Sequence, residues 1–169
     1  MSNLRYPAII FFAVVTLSLI LPIFYYPHLP ETIVSHYNIR NEPDAWMSKQ
    51  ISIIIHFVTM ASLAVMFSCI IFFVPKLPKS MINLPNKDYW LNEKNREETF
   101  IVFRKFIFWL GSITMGFLSL IIQEVYNTNI TGKGKLTFAV WVYLAIMLIT
   151  TSFLIIKMII YFSKIDKQP

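Results

Sequence analysis

Cysteine, glycine and acidic side chains are all scarce in this 169-residue chain. A lone cysteine, Cys69, forbids an intrachain disulfide and any cysteine-based metal cluster. Its place inside an apolar run suits small apolar packing. Four glycines do not build a loop that cradles phosphate. Charged residues make up 14% of the chain, too few to coat a soluble domain. No His-Glu-x-x-His pattern is present, and His28, His36 and His56 are widely spaced. They can be drawn on one outer surface with Glu31, Asp44 and Glu124, but structural zinc sites show tighter ligand spacing. Ser35, Ser48 and the histidines follow no triad order. The expectation is therefore no metal, no cofactor and no catalytic residue, in a chain that is not an enzyme.

What is present is apolar: 56% of residues are hydrophobic, 16% aromatic, and mean hydropathy is +0.60. The surplus is concentrated in four runs, Pro7–Tyr25, Ile51–Val74, Phe106–Ile122 and Leu136–Ile156. At 17 to 24 residues and about 1.5 Å per residue they give helices of about 25 to 36 Å, about the thickness of a hydrocarbon layer of about 30 Å. A soluble protein of 19.8 kDa has too little interior to hide four helices that are apolar all round. The expected fold class is an all-α membrane protein, an antiparallel four-transmembrane-helix bundle in a single domain over residues 1–169, with spans at about 7–25, 51–74, 104–123 and 136–157. An outer loop (26–50), an inner loop (75–103) and an outer turn (124–135) join them. The first run leads into the bulky Pro22-Ile23-Phe24-Tyr25-Tyr26-Pro27 and not into a small-residue cleavage site, so it reads as an uncleaved anchor.

Basic residues set the orientation, because Lys and Arg in short loops stay cytoplasmic. With the N-terminus inside, eleven of the fifteen are inner: Arg5, Lys76, Lys79, Lys87, Lys94, Arg96, Arg104, Lys105, Lys157, Lys164 and Lys167. Arg40, Lys49, Lys133 and Lys135 are outer. Both termini are expected in the cytoplasm. This bias accounts for the net charge of +6 without a nucleic-acid partner.

The outer loop is patterned. Thr32 to Tyr37 is rich in β-branched and aromatic residues and reads as a short strand. Asn41 to Asp44 supplies turn chemistry, with Asn41 able to take positive φ. Trp46 is placed for the membrane interface. The order Leu29-Pro30, an apolar stretch ending His36-Tyr37-Asn38, a turn at Pro43-Asp44, then Trp46 and Ser48-Lys49 resembles a bacterial membrane domain, the domain-of-unknown-function family 1648. That domain also forms the N-terminal part of SdpI-type immunity proteins. Asn41 stands where the family usually has glycine. Asn83-Leu84-Pro85-Asn86-Lys87-Asp88-Tyr89-Trp90-Leu91 also resembles members of the family.

The resemblance implies a bacterial inner-membrane protein. SdpI-type proteins protect a producing cell from its own secreted peptide toxin and hold a cytoplasmic repressor at the membrane. They typically have more spans than the four here, with a second domain after the first. The implied role narrows to a small membrane protein whose outer loop meets a ligand and whose inner loop meets a partner. Candidate ligand-binding residues are His36, Asn38, Pro43, Asp44, Trp46, Lys49, His56 and Glu124. Candidate partner-binding residues are Asn83, Pro85, Asn86, Lys87, Tyr89 and Trp90.

On the inner segment, Pro75, Pro78 and Pro85 break the helix, and Tyr89-Trp90-Leu91 lies near Lys76, Lys79 and Lys87, which suits an anionic lipid surface. Two readings stand: an elbow that fixes the crossing of the second and third spans, or a docking site for a cytoplasmic protein. Asn92 is the expected N-cap of the third helix. Within the spans, Ser52, His56 and Thr59 share a face. A stripe at Ser112, Gly116, Ser119 and Gln123 ends in Glu124, and the small-xxx-small pair Ser112 and Gly116 allows close approach. The two faces are expected to meet, with His56 near Gln123 and Glu124. That histidine is either satisfied by an interhelical hydrogen bond or part of a ligand, ion or proton site. Lys157 is expected to snorkel. A short β-pairing of Thr32–Tyr37 with the Asn129–Phe138 region would close the cap.

The leading expectation is a non-enzymatic sensor, signalling or toxin-immunity protein that meets a secreted peptide or a cytoplasmic regulator in addition to the bilayer. A small transporter or channel component, which would need homo-oligomers for a hydrated path, and a structural membrane protein without a ligand site are the alternatives.

Overall fold

The computed structural model describes residues 4–164. Its elements are helix α1 (Arg5–Tyr25), strands β1 (Thr32–Tyr37) and β2 (Pro43–Ser48), helix α2 (Lys49–Phe73), the single-turn helix α3 (Lys87–Trp90), and helices α4 (Arg96–Thr131) and α5 (Ala139–Ser163). Helices α1, α2, α4 and α5 are the four that are long and apolar enough to cross a membrane. The bundle has two ends. The hairpin end carries β1, β2 and the α4–α5 corner; the terminal end carries the α2–α4 connection and the last turn of α5.

Helices α1, α2 and α4 interlock around Phe11, Met60, Phe67, Phe108 and Met115, all buried. Gly111 permits the closest approach: a Cβ there would meet Phe11 at 2.6 Å and Phe67 at 3.1 Å. The small-residue expectation is therefore corrected, because Gly116 faces open space and Ser112 turns its hydroxyl back onto the Phe108 carbonyl of its own helix. Helix α5 leans chiefly on α4 and leaves most of its apolar surface outward. Cys69 also faces outward, so its side chain is directed away from the core and not packed within it.

Helix α4 extends beyond the expected span of 104–123: its charged start agrees with the helix expected to begin near Asn92, whereas its last turns occupy what reads in sequence as an outer turn. It runs 36 residues, about 54 Å, well past the hydrocarbon thickness at both ends. Apolarity marks only the part within lipid. The charged start persists as helix because Glu97 and Glu98 lie in its first turn, where the helix dipole favours acid. At the other end it continues to Gly132, whose φ of 63° ends it. Its N-cap is Asn95, while Asn92 closes the preceding turn by accepting the Asn95 N–H at 2.8 Å.

The hairpin also pairs differently from expectation. Strand β1 is antiparallel to β2, with Thr32 opposite Ser48, Ile33 opposite Met47 and Val34 opposite Trp46, and an irregular register from Val34 to Tyr37. The Asn129–Phe138 region adds no strand; it meets the hairpin through side chains.

Candidate functional site

The hairpin turn is built by asparagines. The Asn38 carboxamide oxygen accepts the N–H groups of Arg40 at 2.8 Å and Glu42 at 3.0 Å, an Asx turn. Asn41 takes a φ of 60°, as its residue type permits. Its amide then does what glycine cannot, accepting the Leu136 N–H at 3.0 Å and donating to the Leu136 carbonyl at 2.8 Å. A second asparagine repeats the device from the other side. Asn129 on α4 accepts the Val34 N–H at 2.7 Å and donates to the Val34 carbonyl at 3.1 Å, so one side chain fills the place of a neighbouring strand on β1. Two carboxamides thus staple the hairpin to the α4–α5 corner.

The β2–α2 junction is fixed by Ser48 and Lys49. Ser48 is the N-cap of α2, accepting the Ile51 N–H at 3.3 Å. Lys49 pairs with Glu31 at 2.9 Å and lies 5.0 Å from the centre of the Tyr26 ring. Hydrogen bonds from Lys49 and Gln50, and then the Lys49 charge, hold the Glu31 carboxyl below its ordinary 4.5. Below the hairpin, Leu29, Ile33 and Tyr126 form a small buried cluster. Burial, and then the Glu124 charge, raise the Tyr37 phenol above its ordinary 10.0; its hydroxyl is buried without a hydrogen-bond partner among the described residues.

The opposite face is open. His36 Nδ1 meets the Asp44 carboxylate across the strands. Trp46 is 58% exposed on the same face, and Ile39 at the tip is 99% exposed. The structure therefore brings His36, Asp44 and Trp46 together, and gives Asn38, Pro43 and Lys49 the task of shaping the platform beneath them.

His56 and Glu124 lie away from that open face, Glu124 close enough for its charge to act on Tyr37 and His56 with its ring 6.4 Å from that of Tyr126 on α4. Glu124 accepts the Thr137 N–H at 2.9 Å at the entry to α5. His56, only 3% exposed, turns to α1 and donates its Nε2 proton to the Ser18 carbonyl at 2.7 Å. The reason lies four residues on. Position 22 is proline inside α1, so the Ser18 carbonyl has no helical N–H to accept. In lipid an orphan carbonyl must find another donor, and the histidine is that donor. Ser18 also meets Ser119 of α4, hydroxyl to hydroxyl, at 2.7 Å. Pro22 within an apolar run was the available signal that an intramembrane donor should be sought; Asn129 carried no comparable signal.

At the terminal end the inner segment folds back on its own chain. The Asn86 amide donates to the carbonyls of Phe162 at 3.2 Å and Ser163 at 3.0 Å, and the Trp90 indole donates to Phe162 at 2.8 Å while stacking on Tyr161. These are the carbonyls that the end of α5 leaves without helical partners. Asn86 and Trp90 are thus engaged with the end of α5, while Asn83, Pro85, Asn86 and Lys87 are exposed. Tyr89 offers its carbonyl to Asn95 at 3.0 Å. Lys79 pairs with Asp88 at 2.7 Å and, by that hydrogen bond first, lowers the Asp88 carboxyl. Arg96 donates to the carbonyls of Pro75 and Leu77, so the segment is an elbow with its backbone tied down.

Among the described residues, no group of three or more His, Cys, Asp or Glu side chains is arranged to hold a metal ion. Comparison with protein families adds one finding. Residues 13–61 match the family model of DUF1648, a domain of unknown function. The DUF1648 segment spans the later part of α1, the whole hairpin and the start of α2, so it contains Ser18, Pro22, His56 and the Asp44–Trp46 face. Asn129 and the Asn83–Leu91 segment fall outside it. No curated protein and no solved structure matches the chain.

Proposed function

We propose that this chain is a non-enzymatic multi-pass protein of a bacterial inner membrane, with both termini cytoplasmic, whose hairpin is a receptor surface for an extracytoplasmic peptide. In this reading it senses the peptide, or gives immunity against it in the manner implied by the likeness to SdpI-type proteins. The supporting observation is the asymmetry of the hairpin. One face is stapled by Asn41 and Asn129 to the bundle, and the other presents His36, Asp44, Trp46 and Ile39 with no covering element among the described residues. Ordered loops that expose aromatic and aliphatic side chains are suited to recognition, because little conformational entropy is lost on binding. Phe11, Met60, Phe67, Phe108 and Met115 fill the centre of the bundle, which favours a receptor over a conducting path.

The test pairs two measurements. Deletion of the gene is expected to sensitise cells to a secreted peptide, and complementation with Trp46→Ala is expected to fail although the protein reaches the membrane. If purified protein in liposomes instead moves ions or solutes, and His56→Ala abolishes the movement, the receptor reading is lost to a transporter.

A further inference from the structure

A groove of about 670 Å³ lies between α4 and α5 in the half of the bundle nearer the terminal end. Its volume is within the range of small-ligand clefts, about 300–1,000 Å³. Its walls are apolar, with Phe106 and Trp109 on α4 facing Phe153 on α5. Its rim is cationic. Lys105 and Lys157 line it from opposite helices, and among the described residues neither has an ion-pair or hydrogen-bond partner. Lys105 lies about 14 Å along α4 from its start and Lys157 about 9 Å from the end of α5, and both side chains line this one groove. A lysine inside a span costs free energy unless its charge reaches the interface or a counter-ion.

We infer that the groove holds an anionic phospholipid of the leaflet at the terminal end, one acyl chain lying between α4 and α5 and its phosphate meeting Lys105 and Lys157. A groove between two spans opens sideways into hydrocarbon, so its occupant arrives from the bilayer. Two lysines against Glu98, which also lines the groove, leave the rim net positive and select a lipid of net negative charge. Trp109 supplies the amphipathic ring suited to the depth where chain meets headgroup.

Thermal unfolding in micelles of a neutral detergent tests this, with phosphatidylglycerol, phosphatidylcholine, phosphatidylethanolamine or glycerol 3-phosphate added in turn. Phosphatidylglycerol is expected to raise Tm, and to bind on the order of 30-fold tighter than phosphatidylcholine, as two juxtamembrane cations allow. Glycerol 3-phosphate without acyl chains is expected to do nothing. Lys105→Gln with Lys157→Gln is expected to remove the preference, and the double arginine variant to retain it. Thr150→Trp, which fills the groove with both lysines intact, is expected to abolish the shift and so separates a built site from general surface charge. Equal stabilisation by phosphatidylcholine, retention of the shift in Thr150→Trp, or a phosphatidylethanolamine effect that matches phosphatidylglycerol and vanishes with Glu98→Gln would each overturn the assignment.

Discussion

Residue by residue, the polar side chains of this protein serve mainly to satisfy backbone that would otherwise be left unpaired in lipid or at its edge. His56 answers for the N–H that Pro22 lacks, Asn129 for an absent strand beside β1, and Asn86 with Trp90 for the open end of α5. A direct consequence concerns His56 and Pro22. His56→Ala is expected to cost about 1 kcal/mol of bundle stability, since the Ser18 carbonyl loses its donor. Pro22→Ala restores an N–H at the right place, so the same histidine replacement in that background is expected to cost much less. A double-mutant cycle in detergent measures the difference, and strictly additive effects would show that the Ser18 carbonyl is not what couples the two residues. The presence of an intramembrane histidine was legible in the sequence; its partner was not. A helical face gives only a direction, and several neighbouring helices can occupy it.

Among the elements, the hairpin is the one whose order depends most on contacts distant in sequence. Its strand propensity, its Asn41 turn and its Ser48 cap are local, and all three were readable from residue type. Its partner was misplaced because a carboxamide pairing with one peptide group leaves no periodic trace. Asn41→Gly keeps the positive φ and removes only the staple, whereas Asn41→Ala loses both. Hydrogen exchange over β1 and β2 is expected to accelerate modestly in the first and more in the second; equal rates in wild type and Asn41→Gly would remove the staple from the account. The hairpin is also expected to loosen at both extremes of pH. Glu31 is held below its ordinary 4.5, so its contribution is present above that value and is lost as pH falls through the lower folded value. Tyr37 is held above its ordinary 10.0, so its contribution is present below that value and is lost as pH rises through the higher folded value. Exchange protection of the Lys49 N–H, which donates to the Glu31 carbonyl at 3.0 Å, reports the acid limb. Tyr37→Phe is expected to erase the alkaline limb with little loss of stability at neutral pH, because its hydroxyl has no partner to lose.

For the molecule as a whole, the orientation proposed from the bias of lysines and arginines has a plain test. In a Cys69→Ser background, made permissible by the exposure of that side chain, a cysteine at Ile39 is expected to react with an impermeant thiol reagent in intact cells. A cysteine at Lys87 is expected to react only after lysis; the reverse pattern would invert the protein and remove the peptide-sensing proposal. Span number, the turn at Asn41 and the bias of basic residues are consequences of hydrophobicity, backbone preference and charge. Each acts on a short stretch of chain whatever surrounds it, and that is why composition and order sufficed for them. The close approach at Gly111, the exchange of donors between Pro22 and His56 and the lysine-rimmed groove arise between segments far apart in sequence. They required the packed arrangement, because a helix in lipid is apolar on every face and its sequence does not say which face meets which neighbour.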